Sequence, residues 1–160
     1  MCIPISISRS IAREYPSAPV VAVGAVIVHE GRALLVRRGK APAEGAWVIP
    51  GGGVELGERV EDALPREIRE ECGIAIALGP VAAVVNRIDR DENGRVRFHY
   101  VIIDYFASYQ SGILAAGSDA ADARWVPLGE LPDYALPAES LRLFAEAARL
   151  AEAGSRPRRA

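Results

Sequence analysis

Between Glu58 and Gly73 the chain carries a helix-like stretch whose acidic residues continue its apolar side. At about 100° per residue, Val60, Ala63 and Leu64 share one stripe, and its next members are Glu67, Glu70 and Glu71. Glu71 falls on the wheel between Val60 and Leu64. An ordinary surface helix places its carboxylates opposite the apolar stripe. Like charges at i,i+4, such as Glu67 and Glu71, repel. Partly buried carboxylates take up protons unless positive charge sits among them. The bland alternative is a solvated acidic face tied by intrahelical ion pairs, with Arg66 and Arg69 neutralising part of the charge. The inward stripe predicts instead a pocket of oxygen ligands suited to a hard divalent cation, Mg²⁺ or Mn²⁺.

The helix is expected from about Glu58 to Cys72, with Gly73 as its stop. In front of it, Pro50-Gly51-Gly52-Gly53 predicts a glycine turn that lets backbone approach a ligand or aim a carbonyl at a metal. Pro65 interrupts the pattern. A mid-helix proline costs about 3 kcal/mol. The regular helix is therefore expected to start late, near Asp62 as N-cap, or to kink, with distortion over Glu61–Pro65 and regular turns from Glu67 to Glu71.

Around this stretch the pattern reads as strands. Val20 to His29 is β-branched and apolar, Glu30-Gly31 is a turn, and Arg32 to Arg38 completes a hairpin. Trp47 to Ile49 is a short strand, Ile74 to Ile88 one or two strands around Gly79-Pro80, Arg97 to Ser108 a long strand and Ala123 to Val126 a last one. Ala138 to Ala153 is a closing helix with Leu141, Phe144, Ala145 and Ala148 on its apolar side. Strands mixed with two helices argue α/β or α+β, with helices covering a sheet.

A chain of 160 residues is enough for one domain. The expected division is an N-terminal arm (1–17), a domain (18–153) and a basic tail (154–160). No apolar run reaches the roughly 18 residues of a spanning helix, so no membrane is expected. With 19 basic against 21 acidic residues there is no global basic field for nucleic acid. Two cysteines, Cys2 and Cys72, make neither a disulfide framework nor a paired zinc site, which fits a reduced, cytoplasmic setting. The run Ile3–Ile7 reads as an arm that packs on the domain or exchanges between subunits of a homodimer.

Gly52, five residues, Glu58, seven residues, then Arg66-Glu67-Ile68-Arg69-Glu70-Glu71-Cys72-Gly73-Ile74 resembles the Nudix box, GX5EX7REUXEEXGU, at every defined position. Trp47-Val48-Ile49-Pro50-Gly51-Gly52 resembles the W-x-x-P-G-G lead-in common in that family. The element order from Val20 to Ala153 is Nudix-like as well. The resemblance implies an α/β/α sandwich with a central mixed β-sheet. It implies hydrolysis of a pyrophosphate bond in a nucleoside diphosphate derivative, with Mg²⁺ or Mn²⁺. By position it implies Glu67, Glu70 and Glu71 as metal ligands, the Gly51 carbonyl as a further ligand, Arg66 as the partner that orients a glutamate, and Glu58 as support or a ligand through water.

Divalent ions neutralise the charge of a diphosphate and acidify water in in-line displacement, and a nearby glutamate can take the proton. That base is a box glutamate, Glu67 or Glu70, or an acidic residue on a later loop. Asp119 lies where related enzymes carry a fourth acidic ligand, with Asp122 and the earlier Glu92 as neighbours in sequence and a turn cap as its plain alternative. Arg37 and Arg38 end a strand and suit phosphate oxygens, and alternation lets one of them face the site.

The strand Phe98–Phe106 and the loop Ser118–Trp125 resemble the ADP-ribose pyrophosphatase-like branch. Tyr100, Phe106 and Trp47 suit core packing better than base stacking, and His99 suits a place in the sheet. The leading expectation is a hydrolase of ADP-ribose or a nucleotide sugar. The alternatives are a nucleoside triphosphate pyrophosphohydrolase and a silent Nudix domain that senses a nucleotide. A nucleic-acid-binding module lacks its basic stripe.

Overall fold

A computed structural model describes residues 13–40, 43–117 and 120–155. Ile3–Ile7 and residues 156–160 lie outside the described residues, as does Asp119. Strands β1 (Val20–His29) and β2 (Arg32–Arg38) meet through Glu30 and Gly31, whose φ of 49° and 73° are the left-handed pair that a tight hairpin turn requires. The two strands pair only at their tips, Val28 with Ala33 and His29 with Arg32. Beyond that point they diverge. β1 runs parallel to β6 (Val96–Gly112) and antiparallel to β4 (Gly51–Gly53). β2 pairs with β3 (Trp47–Val48) and β7 (Ala120–Pro127). β5 (Ile74–Arg90) closes the far edge against β6. Among the described residues this makes a mixed sheet of seven strands.

The parallel pairing explains why the centre of β1, Val23–Ile27, is apolar, since both of its faces are covered there. Val23, Ala25 and Ile27 face helix α1 (Val60–Cys72), together with Leu34 and Val36 of β2. Val26, Ala33 and Leu35 face helix α2 (Ala138–Ser155) on the other side. The result is the expected α/β/α sandwich. A 3-10 helix, Leu128–Tyr134, leads into α2 and buries Leu131; the sequence pattern did not indicate it.

Several expectations are corrected. α1 starts at Val60, with Arg59 as an extended N-cap, and runs unbroken through Pro65 instead of starting at Asp62. The tightening lies in the first turn, where the Asp62 and Ala63 amides share the Arg59 carbonyl at 3.1 and 2.9 Å. Pro65 removes one bond, to Glu61, in the second turn. Full burial of Leu64 and Ile68 on either side, each worth roughly 1.5–3 kcal/mol, offsets that loss. Gly73 ends the helix in the left-handed conformation, φ 70°, with its amide on the Arg69 carbonyl at 3.0 Å.

Gly51–Gly53 is a strand rather than a turn, paired with Ala22–Gly24. β5 is one strand, because register shifts between Leu78 and Val81 absorb Gly79-Pro80. The buried side of α2 is Leu143, Phe144 and Ala147, while Ala145 is exposed. Trp47 and Phe106 pack in the α2-side core, as expected, and His99 lies in β6.

Candidate active site

The box glutamates hang from α1, whose buried face is Ala63, Leu64, Ile68 and Cys72. Ile68 and Cys72 carry the apolar stripe to the end of the helix, so the three later carboxylates flank it instead of continuing it. Glu67 is turned in, with its side chain 19% exposed, whereas Glu70 is 61% exposed. Glu71 is half-buried and its Oε2 accepts the Gly51 amide at 3.0 Å. The inward trio read from the sequence is therefore one inward carboxylate, one tied to the glycine strand and one at the surface.

The glycine strand has a steric reason. A Cβ on Gly52 would fall on the Glu67 carboxylate, and a Cβ on Gly51 would fall on the Val23 carbonyl oxygen. Only a bare backbone lets β4 lie between β1 and the acidic face of α1.

Arg66 organises the cluster. Its Nε and Nη2 donate to Glu58 Oε1 and Oε2 at 2.7 and 2.8 Å, a bidentate fork. Nη2 also donates to the Gly53 carbonyl at 3.0 Å, and Nη1 to Glu67 Oε1 at 2.9 Å and Glu70 Oε2 at 3.5 Å. The Glu55 amide donates to Glu58 Oε2 at 2.9 Å, so one guanidinium joins the turn before α1, the glycine strand and the helix. Hydrogen bonds from Arg66 and then from the Glu55 amide push the Glu58 carboxyl down to about 2. Glu67 moves the other way: burial raises its pKa more than its single bond from Arg66 lowers it. Arg66 itself is held still more firmly protonated, chiefly by Glu58.

Among the described residues no three acidic, histidine or cysteine side chains converge as a metal cage. The donor chemistry nevertheless fits a hard divalent cation. Carboxylates at i, i+3 and i+4 on one helix can converge by side-chain rotation alone, and the half-buried Glu67 is under-compensated by the charge around it.

Of the other expected residues, Arg37 and Arg38 end β2, where a register shift falls between them. Neither bonds to Glu58, Glu67 or Glu70, whose partners are Arg66 and the Glu55 amide. Asp122 pairs with Arg124 at 2.7 Å, and Glu92 is exposed in the turn after β5. An open cavity of about 580 Å³ beside Trp47, Arg124 and Tyr134 is lined by Glu130 and Asp133 but by none of the box glutamates.

Sequence reasoning missed two residues. Asp104 is 7% exposed within β6, against Gly24, where a Cβ would meet its Oδ1. The signal was present, an aspartate inside the apolar run Val101–Phe106. Burial, then the charge of Glu139, raises its pKa to about 6. Arg13 is the second. Its charge acts on Glu67, and nothing local in the sequence announces it.

The NUDIX domain family model matches residues 18–147. The chain belongs to the Nudix hydrolase family. This Nudix hydrolase is 37% identical over 123 residues to an ADP-ribose pyrophosphatase of Methanocaldococcus jannaschii, an alignment covering 77% of this chain and 70% of that protein. It is 35% identical over 99 residues to the nucleoside triphosphatase NudI of Salmonella newport, covering 58% of this chain and 69% of the relative. Its fold matches the crystal structure of a MutT Nudix hydrolase from Burkholderia pseudomallei with a TM-score of 0.68 and 37% identity, over 80% of this chain and 97% of the other. No helix among the described residues is long and apolar enough to cross a membrane.

Proposed function

We propose that this Nudix hydrolase cleaves the pyrophosphate bond of ADP-ribose or a nucleotide sugar with the help of Mg²⁺ or Mn²⁺. The observation that carries the reading is the Arg66-centred array of Glu58, Glu67 and Glu70 beside a strand with no side chains of its own. Glu67, Glu70 and Glu71, with the Gly51 carbonyl, would hold the metal, and Glu58 supports them through Arg66. When bound, the ion neutralises the diphosphate oxygens and acidifies water. A box glutamate, Glu67 or Glu70, would take the proton from the attacking water, with Asp119 as the alternative. Arg37 or Arg38 would hold phosphate oxygens bidentately. Similarity to an ADP-ribose pyrophosphatase supports the choice of substrate.

Similarity to a nucleoside triphosphatase supports a second reading, pyrophosphohydrolysis of triphosphates. A panel of ADP-ribose, nucleotide sugars and deoxynucleoside triphosphates, assayed with Mg²⁺, separates the two. The proposal expects AMP and ribose 5-phosphate from ADP-ribose, or the corresponding monophosphates from a nucleotide sugar. Turnover confined to triphosphates selects the second reading, and no turnover of any nucleotide selects a sensor.

A further inference from the structure

The short segment before β1 is fastened to the far end of the β5–β6 hairpin. The Tyr15 amide donates to the Arg97 carbonyl at 2.8 Å, and the Tyr15 hydroxyl donates to Asp91 Oδ2 at 3.1 Å. The Arg95 guanidinium lies 4.9 Å from the centre of the Tyr15 ring. Arg97 Nε binds Glu14 Oε1 at 2.7 Å, and Arg95 Nε binds Asp91 Oδ2 at 2.8 Å. Tyr15 is held at φ 51°, a left-handed conformation that a non-glycine residue rarely adopts. Four contacts thus fasten Glu14 and Tyr15, and the Arg95–Asp91 pair ties two of their partners together.

That turn delivers Arg13 to the glutamate site. Its Nη2 lies 4.0 Å from where a Cβ on Gly53 would sit, beside the strand whose carbonyl Arg66 already holds. Its charge reaches Glu67. Yet among the described residues Arg13 donates no hydrogen bond and forms no ion pair within 4.0 Å, unlike Arg66, Arg95 and Arg97 around it. An exposed arginine normally wanders in solvent. This one is joined directly to an anchored turn, and its Nη2 lies beside the glycine strand, a region without side chains. A guanidinium fork matches the paired oxygens of a phosphoryl group.

We propose that residues 13–15 are a strap that lays Arg13 beside the box carboxylates, where its guanidinium grips the diphosphate of the substrate. The inference rests on the pyrophosphohydrolase reading for its substrate and adds a binding residue outside the box. The anchors Tyr15, Asp91 and Arg97 act as positioning residues through Arg13.

The test pairs two readouts, binding of inorganic pyrophosphate by calorimetry with Mg²⁺ present, and steady-state kinetics on ADP-ribose. Arg13→Ala is expected to weaken pyrophosphate binding about tenfold and to raise KM about tenfold with kcat changed less than about twofold, at unchanged thermal midpoint. A tenfold change corresponds to about 1.4 kcal/mol. Arg13→Lys should recover part of the binding, and Arg97→Ala should shift both quantities the same way by a smaller factor. Wild-type protein that binds pyrophosphate but turns over no nucleotide, with Arg13→Ala binding it more weakly, keeps the strap and removes the hydrolase reading. Pyrophosphate binding that is undetectable in wild type, or equal in wild type and Arg13→Ala, overturns the strap. A fall in kcat at constant KM overturns it as well.

Discussion

Arg66 holds both carboxylate oxygens of Glu58, through Nε at 2.7 Å and Nη2 at 2.8 Å, while its remaining nitrogen reaches Glu67 at 2.9 Å. A planar fork can do this and a lysine ammonium cannot. Arg66→Lys should keep the charge and lose the geometry. Partners that orient metal-site carboxylates typically matter 10–100-fold in affinity or activity. We expect kcat/KM to fall by about that factor, with far-ultraviolet circular dichroism unchanged. Activity within about twofold of wild type would remove the organising role of Arg66.

Gly52 leaves room for the Glu67 carboxylate, and one added methyl group would displace it. Gly52→Ala should lower activity at least about tenfold, on the scale seen when positioning is lost by about 1 Å. Gly129→Ala, at a position with open space around it, is the control and should behave as wild type. Equal activities of the two variants in the same assay would contradict the steric account.

Asp104 makes pH and stability interdependent. Its folded pKa is raised from 3.8 to about 6 by burial and by the Glu139 charge, so above pH 6 the folded protein holds an anion that the unfolded chain would leave in water. That cost shrinks as pH falls through 6 towards 3.8, where both states become protonated. At about 1.4 kcal/mol per pH unit, Asp104→Asn should stabilise the protein by up to about 3 kcal/mol at pH 8. Urea unfolding of both proteins across this range should show the gain vanish near pH 4. A gain independent of pH would mean that the anion is not the cause.

Cys72 is fully buried at the end of α1, and burial, then the Glu71 charge, pushes its thiol up to about 12. It should resist iodoacetamide at pH 8 in the folded protein and react in urea. Peptide mapping reads this at Cys72 separately from Cys2. Rapid labelling of native Cys72 would show that the helix end opens.

The parts legible in the sequence were those that side-chain pattern controls. The β-branched run of β1, the stop at Gly73 and the hairpin turn at Glu30-Gly31 came out as read, because each is set locally. The parts that were not legible depend on neighbours distant in sequence. Gly51–Gly53 forms a strand because Ala22–Gly24 lies beside it, and glycine carries no alternation to reveal that. Glu70 is exposed because Ile68 and Cys72 complete the buried stripe, which a count starting from Val60, Ala63 and Leu64 alone overlooks. Pro65 is tolerated because the packing of Leu64 and Ile68 outweighs one lost bond. Arg13 reaches the site only through Tyr15 and its contacts to Asp91 and Arg97, residues far along the chain.

In the proposed function the α1 carboxylates Glu67, Glu70 and Glu71 gather a divalent cation. Titration of Mn²⁺ into the intact protein by calorimetry tests it most directly, with Glu67→Gln and Glu70→Gln measured alongside. Saturable uptake by wild type is expected, weakened about tenfold or more in each variant. No heat from wild type, or equal affinity in all three proteins, would contradict it.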